Sequence, residues 1–405
     1  MSAADPRMRG FRSRAEVADV LRLLQERVKP LPAIPLDPAF VYSLVLAERV
    51  ASPRDVPAFD RAAMDGYAVR GEDTFGASEY SPLPLHVIGT SMPGAGFGAA
   101  VGPGEAVKIM TGAPMPEGAD AVLMAEDAPD GRAVAAVPPG KNVSKRAEDV
   151  RAGEALFEPG RVLRPQDVGL LVAAGVETVH VRRTPAVDII VTGRELLPPG
   201  GVPREHIIAD ANGPMLCALV ARDRGEYVEH PIVRDDAADL RHVLEQCEGD
   251  AILISGGSSV GEEDIVPQVV RQLGELPVHG IAMRPSSPAG VGFIGGRPVF
   301  LLPGNPVSCL CAYDFFAGPT IRALGGRSRD WPYRRVELPL AQKLTSEAGR
   351  VDYARVRVVD GKVEPLMVSG AGILSSTTRA DGFVIVARDL EGIDAGSRVT
   401  VHLYD

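Results

Sequence analysis

The segment Ala251 to Val266, which reads AILISGGSSVGEEDIV, predicts a strand that turns directly into a helix. Its four apolar residues, Ala251 to Ile254, are typical of a buried strand. The Gly/Ser run that follows lets the backbone approach a ligand closely, and the N-terminus of a helix beginning near Asp264 favours anions. Glu262, Glu263 and Asp264 are unusual beside a plain phosphate site, so they suggest a metal ion or a polar heterocycle as well. A Gly-rich turn whose acidic residues cap a helix is the structural alternative.

The surrounding segment, from Thr184 to about Gly326, alternates strand and helix patterns. This alternation predicts an α/β domain with a largely parallel sheet, and such sheets bind ligands at the carboxyl ends of their strands. The predicted strands are Val187 to Val191, Tyr227 to Ile232, Ala251 to Ile254 and Val299 to Leu302. The predicted helices are Gly213 to Arg224, Ala237 to Gln246, Ile265 to Leu273 and Val307 to Ala323. Three polar turns follow strands: Thr192-Gly193-Arg194-Glu195, the Gly256 loop and Pro303-Gly304-Asn305-Pro306. We expect the three turns to form one pocket.

The rest of the chain has a different pattern of apolar, Gly and Pro residues. Short apolar runs separated by Gly and Pro predict a β-rich domain over residues 51–149 and a C-terminal β-domain over 328–405, resembling a barrel. Helical patterns are predicted for Arg14 to Val28 and for Leu36 to Val50. We expect residues 1–50 and 150–183 to form an N-terminal linking domain, with residues near 10–28 packed on an α/β domain that spans 184–327. The predicted fold class is therefore multidomain, α/β and β.

Composition limits the kinds of partner. The chain has 405 residues, a formal net charge of −10 and 45% hydrophobic residues. The charge argues against nucleic acid as the main partner, and no apolar run approaches the roughly 20 residues that cross a bilayer. The N-terminus does not read as a secretory signal. No zinc-type spacing surrounds the four cysteines, Cys217, Cys247, Cys309 and Cys311, and a few unpaired thiols are typical of the cytoplasm.

Four motifs resemble one known family along almost the whole chain. They are PAFDRAAMDGYAV from Pro57, KIMTGAPMPEGADAVLMAED from Lys108, ISGGSSVGEEDIV from Ile254 and LLPGNPVS from Leu301. Their residues and their order are similar to those of the molybdopterin molybdenumtransferases, a family that also includes the C-terminal domain of gephyrin. The third motif begins with the Gly turn described above, and the residues that follow this turn match the family's S-V-G-x-x-D.

The resemblance implies a homodimer of four-domain chains, with a three-layer α/β domain that resembles the molybdopterin-binding fold. In the family, the site is thought to lie between this domain of one subunit and the β-rich second domain of the other. The implied substrates are adenylylated molybdopterin and molybdate, with Mg²⁺ as cofactor. The phosphoanhydride is cleaved, AMP leaves and molybdenum is bound by the dithiolene. Other proteins of molybdenum cofactor biosynthesis are further candidate partners.

The same resemblance implies site residues. The catalytic acids are Asp65, Glu195 and Asp264, and the last two are also the metal ligands. Substrate contacts are implied for Thr111, Asp149, Gly256, Gly257, Ser258, Arg284, Ser287, Pro303, Asn305, Arg355 and Ser375. Carboxylates suit this chemistry because Mg²⁺ prefers oxygen ligands and phosphoanhydride cleavage needs charge neutralisation. As structural alternatives, Asp65 could be a turn residue and Asp149 a solvated partner of Arg146 or Arg151.

Two departures from the family pattern concern charge. The family's K-P-G-K-P reads Arg284-Pro285-Ser286-Ser287-Pro288 here, so the second lysine is replaced by Ser287. The family's T-G-D-E reads Thr192-Gly193-Arg194-Glu195. We expect Arg284 to bind an oxyanion and Arg194 to replace the charge lost at Ser287. A molybdopterin adenylyltransferase and a non-catalytic scaffold that binds cofactor precursors are the alternative functions.

Overall fold

The protein forms two compact units in a computed structural model that describes residues 14–257 and 265–404. The larger unit contains the chain up to Ala33 and from Arg182 onward, and the smaller unit is Ile34–Val181. The described helices are α1 Val17–Arg27, α2 Pro165–Ala173, α3 Asn212–Arg222, α4 Ala237–Gln246, α5 Ile265–Leu273, α6 Pro306–Ala312, α7 Gly318–Leu324 and α8 Ser375–Thr378. A π-helical turn, Tyr313–Ala317, joins α6 to α7. None of the described helices is both long and apolar enough to span a membrane.

The smaller unit is mainly β-structure, including residues 51–149, where short apolar runs indicated strands. Its strands, with β1 and β13 at the boundary between the units, are β1 Ala33–Leu36, β2 Val45–Leu46, β3 Val50–Ala51, β4 Arg61–Ala62, β5 Gly66–Val69, β6 Leu83–Pro84, β7 His86–Ser91, β8 Glu105–Ile109, β9 Ala121–Met124, β10 Arg132–Ala133, β11 Val143–Ser144, β12 Ala155–Phe157 and β13 Val179–Arg182. The main sheet has the order β7-β8-β5-β9. The helix predicted for Leu36 to Val50 is wrong. Long-range pairing, such as β3 with β12, overrides the local apolar spacing there.

The larger unit contains a six-stranded sheet whose four central strands are buried on both faces. The strands of this unit are β14 Ala186–Val191, β15 Leu196–Leu197, β16 Ile208–Ala209, β17 Glu226–Glu229, β18 Ala251–Ser255, β19 Glu275–His279, β20 Met283–Arg284, β21 Gly290–Ile294, β22 Arg297–Leu302, β23 Arg334–Pro339, β24 Leu344–Thr345, β25 Val351–Val359, β26 Lys362–Met367, β27 Gly382–Val386, β28 Gly392–Ile393 and β29 Arg398–Leu403. The six-stranded sheet has the order β17-β14-β18-β22-β21-β19. Its first four strands are parallel, and β21 and β19 extend it as antiparallel strands.

Helices cover both faces of this sheet. Buried residues of α4 and α5 form one core with Ile190, Ile252 and Ile254. Buried residues of α1, α3 and α6 form another core with Val187 and Ile189 on the opposite face. Because side chains alternate along a strand, consecutive residues of β14 supply both cores. This layering of helix, sheet and helix confirms the predicted α/β architecture.

The C-terminal strands form a second large sheet with its own core. The order is β20-β25-β27-β29-β23, and β26 pairs with β25. Buried residues such as Val356, Val384 and Val401 make the core. The short strand β20 lies between α5 and β21 in the sequence, yet it pairs with β25 in parallel, with Arg284 opposite Asp352. The segment after β20 is therefore held beside β25, which carries Arg355.

Candidate functional site

A cavity of about 970 Å³ opens at the carboxyl ends of β14, β18 and β22. The three predicted turns all contribute to its wall, through residues 192–195, 255–257 and 304–306. The remaining lining residues are Val191, Leu196, Ile208, Ala209, Asp210, Ala211, Asn212, Asp235, Ile265 and Gly372. Adjacent parallel strands end at the same edge of a sheet, so turns that are distant in sequence meet there. Pro303 precedes the third turn but is not among the lining residues.

The Gly256 turn passes very close to the end of β14. Gly256 has a φ of 101°, and a Cβ atom there would lie 2.3 Å from the carbonyl oxygen of Thr192. Its amide donates a hydrogen bond to Leu302, 3.1 Å away. Gly257 also has a positive φ, 54°. Glycine is therefore required at 256 both for backbone conformation and for the approach of two strand ends.

We expect Gly256→Ala to destabilise the larger unit by about 2–4 kcal/mol, because it adds a clash with Thr192 to the cost of a positive φ. Gly296→Ala is the matched control, since Gly296 has a φ of 82° and open space around the position of a Cβ. Urea denaturation of both variants measures the difference in the free energy of unfolding. Equal losses at the two positions would show that the close approach of Thr192 has no energetic weight.

Two residues that the sequence did not indicate, Asp210 and Asn212, form the side of the cavity. Asn212 donates hydrogen bonds from Nδ2 to Ser255 Oγ and to the Gly304 carbonyl, both at 2.8 Å. Asp210 accepts from the amides of Asn212 and Gly213 at 2.8 and 3.0 Å. The pattern Asp-x-Asn at the start of a helix was the available signal, because Asp210 binds the first amides of α3 as a capping residue does.

Two residues of the cavity wall, Thr192 and Asn212, carry buried polar atoms without partners in the described structure. The Asn212 Oδ1 and Thr192 Oγ1 atoms are buried and have no hydrogen-bond partner among the described residues. A buried oxygen without a partner is costly, so a ligand or water that satisfies both atoms is strongly favoured. Glu195, exposed at the same cavity, adds a carboxylate. These are oxygen donors of the kind that Mg²⁺ prefers, so the lining fits the implied cation.

Arg194 lies at the opening of the cavity and is exposed. Its guanidinium donates a hydrogen bond to the Asp235 carbonyl at 3.0 Å, and its amide donates to the Asp235 carboxylate at 3.4 Å. The side chain is thus directed to Asp235 as well as to the cavity. Asn305 is the residue before α6, and its carbonyl accepts from Cys309. Ser258 and Asp264, which the sequence also places at this site, lie outside the described residues.

A second polar region lies around Arg355, in the middle of β25. The side chain is fully buried, and its Nε and Nη1 atoms have no hydrogen-bond partner among the described residues. Its Nη2 atom donates to the Ser369 carbonyl. Burial lowers the pKa of Arg355. A buried guanidinium with two free donors is a strong candidate for an anion site.

Residues Ser286 and Ser287 lie in the same region. Ser287 Oγ is buried without a partner in the described structure. Ser286 Oγ donates to the Ser308 carbonyl at 2.5 Å. Burial raises the pKa of Cys311, and a hydrogen bond with Ser286 and the charge of Arg355 oppose that rise, so Ser286 contacts the thiol and Arg355 lies within electrostatic range of it. Ser286 has a φ of 90°, so a serine occupies a conformation that the family's glycine adopts freely.

Arg284 is engaged by carboxylates. Its Nε donates to Asp352 Oδ1 at 3.1 Å, its Nη2 binds Asp352 Oδ2, and Glu347 lies 3.6 Å from Nη1. Asp352 is fully buried and also accepts from Ser346. The fork of Arg284 thus already binds a carboxylate, whereas Arg355 keeps two donor atoms, Nε and Nη1, without a partner among the described residues. Ser375, at the start of α8, is exposed.

The smaller unit brings two of its predicted residues together. Asp65 Oδ1 accepts hydrogen bonds from the amide and the hydroxyl of Thr111, both at 2.7 Å. These bonds lower the pKa of Asp65, so the carboxylate is charged at neutral pH. Asp149 is exposed, and its amide donates to the Val56 carbonyl. Arg146, the partner suggested for Asp149, instead donates to Asp55 at 2.5 Å.

Family models match three stretches of the chain. The MoeA N-terminal region, domains I and II, matches residues 15–175. A probable molybdopterin binding domain matches 188–323, and the MoeA C-terminal region, domain IV, matches 337–404. The chain belongs to the MoeA family. The resemblance found in the four motifs is thereby confirmed. The residues that line the large cavity lie in the stretch matched as the molybdopterin binding domain, except for Gly372, which lies in the stretch matched as domain IV.

Individual MoeA relatives match over almost their whole length. A Methanocaldococcus jannaschii protein named for molybdopterin biosynthesis is 37% identical over 89% of both chains. The molybdopterin molybdenumtransferase 2 of Mycobacterium tuberculosis is 32% identical, with 96% of this chain and 99% of the relative covered. Two crystal structures of MoeA proteins from Pyrococcus horikoshii superpose with TM-scores of 0.80 and 0.74, at 36% and 31% identity. Each covers 97% of this chain and 100% of the other.

Proposed function

We propose that this protein inserts molybdenum from molybdate into adenylylated molybdopterin and releases AMP. The observation that carries the proposal is the buried guanidinium of Arg355 in a chain of the MoeA family, because its Nε and Nη1 atoms have no hydrogen-bond partner among the described residues. A dianion such as molybdate would satisfy these donors. The relatives named molybdopterin molybdenumtransferase support the same reaction.

The large cavity is our candidate for the adenylylated substrate. Its volume of about 970 Å³ falls at the upper end for small-molecule sites. Gly256 and Gly257 let the backbone approach phosphate oxygens, while the Thr192 hydroxyl, which has no partner among the described residues, is available to a polar group of the ligand. The neighbouring strand end at Gly304 completes the wall. These residues bind and orient the substrate before any bond is broken.

Charge neutralisation is the main chemical demand of phosphoanhydride cleavage. We propose that Glu195, together with Asp264, holds Mg²⁺, with Asn212 Oδ1 as a further oxygen donor. Bound Mg²⁺ would offset the phosphate charge and favour departure of AMP. Asp65 remains a carboxylate because Thr111 lowers its pKa, so it can orient water or metal-bound groups but is a weak base. Arg355 and Ser287 would keep the oxyanion in a fixed position.

We propose that the active form is a homodimer, as the family resemblance implies. The observation behind this proposal is that the predicted acids are divided between the units, Asp65 in the smaller and Glu195 in the larger. Other molybdenum cofactor biosynthesis proteins, as suppliers or acceptors of a reactive pterin, remain candidate partners. We also propose that the enzyme acts in the cytoplasm.

Release of AMP is the decisive assay. Purified protein should release AMP from adenylylated molybdopterin only when Mg²⁺ is present together with one oxyanion, either molybdate or tungstate. Glu195→Gln is expected to slow this release at least about a hundredfold, because an oxygen ligand of the metal loses its charge. Absence of AMP with either oxyanion and intact substrate would contradict the transferase function. Mass spectrometry of a retained small molecule would then distinguish a cofactor-binding scaffold from an empty protein.

A further inference from the structure

An aspartate occupies the middle of a buried strand in the α/β domain. Asp188 lies in β14 on the same face as Ile190, which belongs to the core formed with α4 and α5. Its side chain retains only 3% of its exposure. A buried carboxylate is costly unless other groups compensate for its lost hydration. The sequence AVDIIV therefore requires a specific set of partners around position 188.

Those partners come from two other segments of the same domain. Asp188 Oδ2 accepts from the Gly249 amide at 2.8 Å, and Oδ1 lies 2.7 Å from His230 Nε2. Cys247 Sγ lies 3.8 Å from the same nitrogen. One ligand atom from each of Asp188, His230 and Cys247 is within 4.8 Å of the other two. The residues are 42 and 17 positions apart in sequence, which is why no local spacing indicated them.

We propose that Asp188, His230 and Cys247 bind a divalent metal ion of the zinc class, at a site separate from the large cavity. Thiolate, imidazole and carboxylate are the ligand types that Zn²⁺ combines. Zinc bonds of about 2.0–2.3 Å in a tetrahedron place ligand atoms about 3.3–3.7 Å apart. The cysteine–histidine separation of 3.8 Å is within about 0.1 Å of this range, and the aspartate–histidine pair, at 2.7 Å, needs to open by about half an ångström. The aspartate and cysteine ligand atoms lie within 4.8 Å of each other and need at most a modest approach.

Charge and access also suit a cation. The carboxylate and a thiolate together balance a divalent charge, with histidine as the neutral third ligand. The His230 side chain keeps 16% of its exposure, so an ion and a fourth, water ligand can reach the site. The Cys247 thiol lies 3.3 Å from the Val243 carbonyl, and metal binding would displace the thiol proton.

The surroundings hold the three ligands in place. Arg297 donates to the Cys247 carbonyl at 2.5 Å and to the Gly249 carbonyl at 3.3 Å. Gly249 in turn fixes the Asp188 carboxylate. A metal would thus connect β14, the end of β17 and the end of α4. Because β14 continues directly to Thr192 at the large cavity, this is a structural site that stabilises the strand on which the cavity is built.

Cobalt binding tests the proposal without reference to turnover. Full-length protein, first treated with a chelator and kept in excess Mg²⁺ to fill the oxygen-ligand site, should take up one equivalent of Co²⁺. A near-ultraviolet charge-transfer band then reports thiolate coordination, and Zn²⁺ should displace the cobalt. Cys247→Ala should abolish this band and weaken cobalt binding about a hundredfold, and His230→Gln should weaken it similarly. Cys217→Ala, the same change at another buried thiol of the domain, is the matched control and should leave the band intact.

The test separates this site from the catalytic one, because a magnesium-type site of oxygen ligands gives no thiolate band. His230→Gln can still donate a hydrogen bond to Asp188, so it keeps the test valid if Cys247→Ala folds poorly. A band that survives in Cys247→Ala, or no band in the parent protein at millimolar Co²⁺, would overturn the proposal. The three side chains would then be only a hydrogen-bonded packing group.

Discussion

Arg355→Ala is expected to raise the molybdate concentration needed for AMP release at least about a hundredfold. The guanidinium is buried, and two of its donor atoms have no partner in the described structure. Charge-assisted hydrogen bonds to an anion are worth about 1.5–3 kcal/mol each, so the loss of two reaches this effect. The measurement is the dependence of AMP release on molybdate concentration, at fixed adenylylated molybdopterin.

The matched control is Arg357→Ala, because Arg357 is on the same strand but exposed. It should leave the molybdate dependence unchanged. Arg355→Met adds a second readout, since it keeps the apolar stem and removes an unpaired buried cation. Its free energy of unfolding should be equal to or above that of the parent. If Arg355→Met is instead less stable while molybdate use is normal, Arg355 acts only through its bond to Ser369.

Arg284 shows how far charge could be predicted from the sequence. The alignment of Arg284 with a family lysine led us to expect an oxyanion contact at that position, and this stays a prediction. Its carboxylate partner, Asp352, lies 68 residues away, so no local pattern indicated that the fork is already bound. Compensation by Arg194 for the charge lost at Ser287 stays a prediction. The contacts of Arg194 with Asp235 lead us to expect a smaller effect there than at Arg355.

Elements with strong local signals were predicted well. The helices Ala237–Gln246 and Ile265–Leu273 have the predicted bounds, and the first begins where Asp236 caps the amides of Ala238 and Asp239. By contrast, β19 and β21 were not predicted. Gly290 and Gly292 weaken the strand pattern of β21, yet they are needed because a Cβ at Gly292 would lie 2.7 Å from the Glu275 carbonyl. Tertiary proximity, which local patterns do not contain, explains the difference.

The candidate site also contains residues that local patterns indicate and residues that only the folded chain brings together. The three turns of the cavity were predictable because parallel strands end together. Asp210 and Asn212 reach the cavity from the start of α3, and only the folded chain shows that Asn212 links Ser255 to Gly304. Asp188, His230 and Cys247 converge from three separate elements. Residues that act through long-range geometry are those for which sequence patterns gave least information.

Mixed dimers should recover activity that neither parent variant has. If one chain supplies Asp65 and its partner supplies Glu195 to each site, both Asp65→Ala and Glu195→Gln are inactive alone. After subunits exchange in an equal mixture, half of the dimers are mixed and one of their two sites is intact. AMP release should then reach about one quarter of the parent rate. No recovery after verified exchange would mean that each site takes both acids from one chain.

A chain that carries both substitutions sharpens this test. When this chain is mixed with an equal amount of parent chain, AMP release before exchange should be about one half of the all-parent rate. Subunit exchange should lower it to about one quarter, because both sites of every mixed dimer then lack one acid. Sites built within one chain would keep half of the rate. If the site is shared, subunit exchange thus raises AMP release in the first mixture and lowers it in the second. If each site lies within one chain, exchange changes neither rate. A general loss of folding cannot produce these opposite changes.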